Sequence, residues 1–180
     1  NTWSADIHAW YYSSDRQLPP PLSRPTDDDR QWDRGLRFVG EVAKQHYWGN
    51  TIVRTGLLKD ALHFKDYDMT DALTQTNQWV GEVKQQVKLG NNMQAVAGVR
   101  STASNAVSES LPEIWEWRLA AFALYRANWH DVRISAQLRQ EWLQGYDPAL
   151  SPTFGFEWDV LQRDRTTLTL QGQASQGYRI

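Results

Sequence analysis

Apolar and polar residues alternate along most of this 180-residue chain, and the pattern is clearest between positions 115 and 129. Because successive side chains of a β-strand point to opposite faces of the sheet, this alternation predicts a strand with one apolar and one polar face. Residues 132–142 alternate in the same way, so the two segments are predicted to form a hairpin through 128–131. The apolar side of the first segment consists of Trp115, Trp117, Leu119, Ala121, Ala123, Tyr125, Ala127 and Trp129.

The alternation recurs in nine segments, and no helical spacing of apolar residues is sustained. Besides 115–129 and 132–142, these segments lie near 3–11, 36–42, 48–58, 79–89, 93–103, 154–160 and 166–175. Long connections are predicted at 14–31, 59–76, 104–113 and 144–152, and short ones at 45–47, 90–92, 128–131 and 163–165. Such an alternation of connection length is typical of up-and-down outer-membrane barrels, which have tight periplasmic turns and longer outer loops.

Segment length and aromatic placement favour a membrane strand. The segments run for about 10–15 residues, whereas soluble strands typically have about 5–6. Trp115 and Tyr125 lie ten steps apart, roughly 33 Å along a strand and about 25 Å in height at a tilt near 40°. That height matches the spacing of the two aromatic girdles of a membrane barrel. The predicted girdle residues are Trp3, Trp115, Trp117, Tyr125, Trp129, Trp142 and Trp158.

The amino-acid composition argues against several classes of protein and of functional site. With 41% hydrophobic residues the chain is too apolar for a disordered tail, and its net charge of −2 argues against a nucleic-acid partner. The absence of cysteine excludes disulfides, thiolate metal sites and cysteine nucleophiles. Mean hydropathy is −0.65, which is compatible with a barrel because a membrane strand needs apolar residues only at alternate positions.

Nine strands is an odd number, whereas single-chain bacterial barrels close with an even number. An unpaired edge in hydrocarbon would leave backbone N–H and C=O groups unsatisfied, at several kcal/mol each. The sequence also begins without an initiator Met or a signal peptide. We therefore expect further strands beyond one or both ends; if the strand count is off by one, an eight-stranded closed barrel remains an alternative.

Four local phrases carry a family resemblance. Residues 11–21, Tyr-Tyr-Ser-Ser-Asp-Arg-Gln-Leu-Pro-Pro-Pro, are followed by Arg-Gln-Trp-Asp at 30–33, Phe-Lys-Asp at 64–66 and Gln-Gly-Tyr-Arg-Ile at 176–180. In order and spacing they resemble the barrel of TonB-dependent outer-membrane receptors, in particular the cobalamin- and siderophore-receptor-like group. Gln17 and Pro20 depart from that pattern, which has small residues or glycine there. On this resemblance, residues 1–180 are a barrel segment without the plug domain, roughly two fifths of a wall of about 22 strands.

The resemblance implies a non-enzymatic transporter in the outer membrane of a Gram-negative bacterium. It would admit a bulky scarce nutrient, such as a ferric siderophore or cobalamin, when a TonB-type energy-coupling protein pulls on the plug. Loop aromatic and basic residues are the candidates for ligand contact. They are Arg16, Arg24, His63, Phe64, Tyr67 and Tyr146.

The remaining charged residues suggest no catalysis. His8, His46, His63 and His130 lack metal-ligand spacing, and no known catalytic motif occurs. Two loops contain clustered carboxylates that are weak candidates for Ca²⁺, but no glycine-bearing calcium loop surrounds them, so a solvated charge run is the favoured interpretation. These carboxylates are Asp27, Asp28, Asp29, Asp66, Asp68 and Asp71. The charges predicted to face the lumen and to pair there are Glu116, Arg118, Arg126, Arg133, Arg139, Glu141 and Glu157.

Two other functions remain open on the sequence. A small eight-stranded outer-membrane barrel would serve as an anchor or an adhesion protein and would close on itself. A soluble β-rich binding module would give the same alternation, because any half-buried strand has one apolar face.

Overall fold

The computed structural model describes residues 2–19, 29–65, 71–109, 111–163 and 166–177. These residues form nine antiparallel strands in one sheet, and each strand pairs with the next in the chain. The strands are β1 (Thr2–Gln17), β2 (Arg30–His46), β3 (Gly49–Lys65), β4 (Asp71–Lys88), β5 (Met93–Ser108), β6 (Leu111–Trp129), β7 (Val132–Leu143), β8 (Ala149–Arg163) and β9 (Thr166–Ser175). The predicted all-β, up-and-down architecture is confirmed. No pairing joins β1 to β9 in the described sheet, so it is open and has nine strands rather than eight.

The strands extend further than the sequence predicted, and this corrects the predicted connections. β3 continues to Lys65 and β4 begins at Asp71, so most of the loop predicted at 59–76 is strand. β5 likewise runs to Ser108 and β6 begins at Leu111, which removes most of the loop predicted at 104–113. The difference in connection length between the two ends of the sheet is therefore smaller than predicted. Polar residues end the apolar alternation in these stretches, but the backbone pairing continues past them.

The register gives the sheet two chemically distinct faces. Across six strands, Ala121, Val99, Val83, Val53, Val42 and Ala5 are successive register partners. Since paired residues of adjacent strands lie on the same face, these residues form one apolar row across the sheet. We call the side that carries this row the outer face. The other side carries Glu116, Arg118 and the remaining charges predicted for the lumen, and we call it the inner face.

Two irregularities interrupt this register. Pairing between β5 and β6 shifts after Ala106, and pairing between β8 and β9 shifts between Asp159 and Leu161. The second shift lies at the end of the predicted segment 154–160, after the alternating Phe154, Phe156 and Trp158. Leu161 pairs with Leu168, and Val160 has no register partner.

The sheet is a single layer with almost no core of its own. Among the described residues, the buried hydrophobic side chains are Ile52, Ala120 and Leu143, and every close contact between elements joins consecutive strands. No helix in the described part of the chain is long and apolar enough to cross a membrane. Cohesion within this sheet therefore rests on the hydrogen-bonded ladder and on contacts between neighbouring side chains.

Gly49, at the start of β3, lies where the backbones of β3 and β4 approach each other closely. A Cβ added there would lie 2.0 Å from the backbone oxygen of Gln86, whereas one added at Gly40 would meet nothing nearer than 3.8 Å. We expect Gly49→Ala to lower the free energy of unfolding from micelles by about 1–3 kcal/mol, since the backbone of β4 must shift. Urea unfolding followed by tryptophan fluorescence measures this. Gly40→Ala is the control and should stay near wild type; equal values for the two variants would contradict the close approach.

Candidate functional site

The outer face carries an apolar belt three rows deep from β1 to β6. The first row is Ala121, Val99, Val83, Val53, Val42 and Ala5; the second is Leu119, Ser101, Gly81, Thr55, Gly40 and Ile7; the third is Trp117, Ala103, Trp79, Leu57, Phe38 and Ala9. None of these residues is charged. The hydroxyl of Thr55 accepts a hydrogen bond from the Trp79 indole N–H at 3.1 Å, so these two polar groups satisfy each other. This belt is compatible with hydrocarbon, where an unsatisfied polar group is costly.

Polar residues border the belt on both sides. On β3 it lies between Thr51 and Lys59, and on β4 between Gln85 and Asn77. The eight steps between the borders span roughly 26 Å along the strand and about 20 Å in height at a tilt near 40°. Outer-membrane barrels have an apolar band about 25 Å tall, so the interval between the polar borders covers about four fifths of the height of such a band.

All seven predicted girdle residues lie on the outer face by register. Trp3, Tyr125, Trp129 and Trp158 lie toward the end of the sheet where the short turns are, and Trp115, Trp117 and Trp142 lie toward the other end. Their exposed fractions range from 36% for Trp142 to 68% for Trp129. Exposed indole rings at both borders of an apolar belt are typical of membrane interfaces, where one end of the ring is apolar and the other is hydrated.

Aromatic and cationic side chains pair at the short-turn border of the belt. The Lys44 ammonium lies 4.8 Å from the centre of the Trp3 ring, and His46 stacks on Trp48 with centroids 4.7 Å apart. The His46 ring also lies within hydrogen-bond distance of the Thr51 hydroxyl, which donates to Gln85 at 2.5 Å. Polar groups at this border are therefore partnered beside the apolar rows.

The inner face carries charges in register from strand to strand. Asp6, Glu41, Arg54, Glu82 and Arg100 are successive partners across β1 to β5. Arg54 forms ion pairs with Glu41 and, at 3.7 Å, with Glu82. We call this row the charge ladder, and its middle residue bridges three strands.

A second inner-face network lies nearer the other end of β1 to β3. Asp60 accepts hydrogen bonds from the Tyr12 hydroxyl at 2.7 Å and from Arg37 at 2.9 Å, and the Arg37 guanidinium lies 5.6 Å from the centre of the Tyr12 ring. The Tyr12 ring occupies the space above Gly35, where an added Cβ would lie 2.2 Å from it. Glycine at position 35 thus lets an aromatic ring lie flat on the inner face.

Six of the seven inner charges predicted on β6 to β8 are paired, and Arg126 forms no ion pair with the described carboxylates. Arg133 binds Glu157 and, at 2.7 Å, Asp159, which also accepts a hydrogen bond from Thr169 at 2.7 Å. Arg139 pairs with Glu141 and Arg118 with Glu116. Asp159 is the one buried charged residue in the described part of the chain, and the Arg133 guanidinium compensates its charge.

The inner face is concave. A concavity of about 1140 Å³ extends from Lys88 at the end of β4 to Gln173 in β9, and Arg126 and Arg133 are among the residues that line it. A continuous hollow across six strands requires the sheet to curve toward its polar side. The polar side of β4 to β9 therefore lines this hollow, and the apolar side of these strands lies on the convex surface.

The structure separates the residues predicted to contact a ligand. Arg16 and Phe64 lie on the inner face near the ends of β1 and β3, and Arg16 is paired with Asp33 at 2.6 Å. His63 lies on the outer face, where it stacks on Trp32 with centroids 5.0 Å apart. Tyr146 is exposed in the connection after β7, several strands away. Arg24 and Tyr67 lie outside the described residues.

No metal site is formed by the acidic residues that the structure describes. Within that part of the chain, no group of three His, Asp or Glu side chains lies close enough to hold a metal ion. Of the calcium candidates, only Asp29 has a described side chain, and its backbone oxygen accepts a hydrogen bond from Leu18 at 2.8 Å. Asp27, Asp28, Asp66 and Asp68 lie outside the described residues, and so does the side chain of Asp71.

Sequence reasoning missed two aromatic residues of the inner face. Trp10 and Tyr12 lie on the polar side of β1, and both are exposed there, Trp10 at 50%. Their position was readable from the sequence, because they have the same parity as Asp6 and His8. The prediction for this segment instead concerned its apolar face, which includes Ala9 and Tyr11.

Comparison with solved structures identifies the same architecture in a known transporter. The outer membrane transporter YddB from Escherichia coli matches with a TM-score of 0.74 and 12% identity, over 88% of this chain and 27% of that chain. The fold is that of an outer-membrane β-barrel wall. This chain thus spans about a quarter of the length of that transporter. No family model matches the sequence, and no curated protein does.

The apolar belt predicts a face-specific response to charge. We expect Val83→Arg, in the middle of the belt, to lower the stability of the barrel in lipid vesicles by about 2–4 kcal/mol, because the guanidinium would face hydrocarbon. Gln78→Arg, on the inner face of the same strand, is the control and should change it by less than about 1 kcal/mol. Unfolding from vesicles in guanidinium measures both. A larger effect for the Gln78 variant would show that the two faces have been exchanged.

The ion pairs of the inner face should differ in strength according to burial. Arg133→Leu leaves the carboxylate of Asp159 without its cation, although Asp159 is only 7% exposed, so we expect a loss of about 1–3 kcal/mol in unfolding free energy. Arg118→Leu removes a partner from the exposed Glu116 and should cost no more than about 1 kcal/mol. The comparison uses the same unfolding assay in micelles. Equal losses in the two variants would mean that the burial of Asp159 does not determine how much its ion pair contributes to the unfolding free energy.

Proposed function

We propose that residues 1–180 form part of the wall of an outer-membrane transport barrel in a Gram-negative bacterium. The observation that carries this proposal is the segregation of the sheet's two faces: an uncharged belt of membrane height on the convex side and charged networks on the concave side. A soluble protein has no need for exposed tryptophans at both borders of such a belt. The likeness in fold to a known outer membrane transporter supports the same conclusion.

The transport mechanism that we propose is of the TonB-dependent type. A plug domain outside this sequence would fill the hollow of the barrel, and a TonB-type partner would pull on it to open a path. The inner-face charges would then contact plug residues as well as one another, since Lys84, Arg100 and Arg126 form no ion pair with the carboxylates that the structure describes. The chain itself carries out no chemical reaction in this proposal.

The proposed substrate is a bulky scarce nutrient such as a ferric siderophore or cobalamin. Among the described residues, Arg16, Phe64, Trp10 and Tyr12 place one cation and three aromatic rings on the inner face of β1 and β3. Large ligands with aromatic or anionic groups suit such a surface, because rings stack and a guanidinium binds anionic oxygens. Tyr146 and the residues outside the described ranges, Arg24 and Tyr67, remain candidates in the connections.

An uptake assay in cells tests this function. A strain without the gene for this protein should lose energy-dependent uptake of a ⁵⁵Fe-siderophore or of ⁵⁷Co-cobalamin, and the wild-type gene should restore it. Arg16→Ala combined with Phe64→Ala should weaken ligand binding by about thirtyfold, because two contacts of roughly 1 kcal/mol each are removed. Ser13→Ala, on the outer face of β1, is the matched control. Uptake that continues unchanged in the deletion strain, for every nutrient of this class, would refute the proposed role.

A further inference from the structure

Several arginines of the inner face are paired with carboxylates, whereas, among the residues that the structure describes, a group of outer-face cations beyond the belt is not. Inner-face Arg37, Arg54 and Arg133 each bind at least one carboxylate. On the outer face of β2 and β3, beyond the belt, Arg34, Lys59 and Lys65 are exposed, and no carboxylate pairs with them in the described part of the chain. Because these three cations lie beside the belt without a carboxylate, ion pairing within the described sheet does not explain their presence.

The register brings these cations close to one another. Arg30 lies directly opposite Lys65, and Arg34 lies opposite Ala61, which places it diagonally across from Lys59. Like charges at opposite positions of neighbouring strands destabilise a sheet, and diagonal neighbours lie about 7–8 Å apart. We call Arg30, Arg34, Lys59 and Lys65 the outer basic patch. An anion bound between its side chains would relieve the repulsion.

The centre of the patch is a flat platform. Trp32 and His63 lie between the two pairs of cations and stack with an interplanar angle of 29°. On the same face, Asp15 of β1 is the register partner of Trp32 and Asp71 of β4 is that of Lys65, so two acidic residues share this face with the four cations. The patch as a whole therefore retains a positive charge.

The position of the patch identifies its ligand as amphipathic. Lys59 is the register partner of Leu36, and the next pair on the same face is Phe38 with Leu57, inside the belt. A molecule that contacts both the cations and these apolar side chains needs an anionic head and hydrocarbon tails. A dissolved anion would use only the patch.

We infer that the outer basic patch binds the phosphate-bearing head group of a membrane lipid, whose acyl chains lie along Leu36, Phe38 and Leu57. The guanidinium of Arg34 presents two parallel donors that match phosphate oxygens, and the Lys59 ammonium adds a second charge. Basic residues at a membrane surface attract anionic lipids by about 1 kcal/mol each. The inference rests on the membrane location given under the proposed function. It assigns His63 to the lipid-facing side rather than to the ligand path.

Lipid selectivity in vesicles tests this inference. The protein is reconstituted in phosphatidylcholine vesicles that contain a trace of spin-labelled phosphatidic acid or spin-labelled phosphatidylcholine, and the motionally restricted fraction gives the relative association constant. The wild type should select phosphatidic acid. Arg34→Gln combined with Lys59→Gln should reduce that selectivity by about thirtyfold. Arg34→Lys combined with Lys59→Arg, which keeps both charges, should retain most of it.

Lys84→Gln combined with Arg100→Gln is the matched control, because it removes the same charge from the inner face and should leave the selectivity unchanged. An equal loss in this control, or no selectivity in the wild type, overturns the inference. Complete loss of selectivity on addition of inorganic phosphate at constant ionic strength would assign the patch to a dissolved anion and also overturn it. If the double variant does not fold, judged by heat-dependent gel mobility, Arg34→Gln alone should still lower the selectivity about fivefold.

The same experiment separates this inference from the proposed function. A protein that does not enter the vesicle bilayer contradicts the membrane location and hence the transport proposal. A protein that inserts with its belt in contact with lipid, but does not distinguish phosphatidic acid from phosphatidylcholine, contradicts the lipid site alone.

Discussion

Backbone hydrogen bonding between neighbouring strands is the interaction on which this structure depends. The sheet is one layer thick and buries few side chains, so each strand is held chiefly by its two neighbours. In water such a ladder would compete with solvent for every N–H and C=O group. In hydrocarbon there is no competing partner, and breaking the ladder would leave those groups unsatisfied at several kcal/mol each. The proposed lipid environment would thus account for the stability of strands that share almost no hydrophobic core.

The same proposed environment would explain why charged side chains are arranged differently on the two faces of the sheet. Inner-face arginines lie against carboxylates on neighbouring strands, as Arg54 does with Glu41 and Glu82. Outer-face charges are excluded from the belt and appear only past its borders, where Lys44 contacts Trp3 and where Arg34 and Lys59 begin the outer basic patch. Charges in this sheet therefore lie either on the inner face or beyond the borders of the belt on the outer face.

The sequence was sufficient to predict the apolar belt, because alternation directly indicates which side chains share the apolar face of a strand. It correctly placed Trp115, Trp117 and Trp129 on one face and Arg133 on the other. It failed where no lipid constrains the pattern: β3 and β4 extend past the belt through polar residues, and their pairing depends on backbone geometry rather than side-chain alternation. For the same reason His63 was grouped with Arg16 and Phe64, since only the register shows that it lies on the opposite face. The register shift after Asp159, where Val160 has no partner, also left no signal in the sequence.

The register between strands determines at once which side chains lie on each of the two faces of the sheet. A slip of one residue between any two strands would move the apolar row of one strand to the concave side and its charges into hydrocarbon. The inner-face networks oppose such a slip, because each of them binds atoms from strands that must be aligned: Arg54 requires β2, β3 and β4 in register, and Asp60 requires β1, β2 and β3. On the outer face, the hydrogen bond between Trp79 and Thr55 joins β3 and β4 within the belt. The polar contacts therefore contribute more to the choice of one register than their modest individual energies suggest, and that register is what keeps the convex side free of charge at membrane depth.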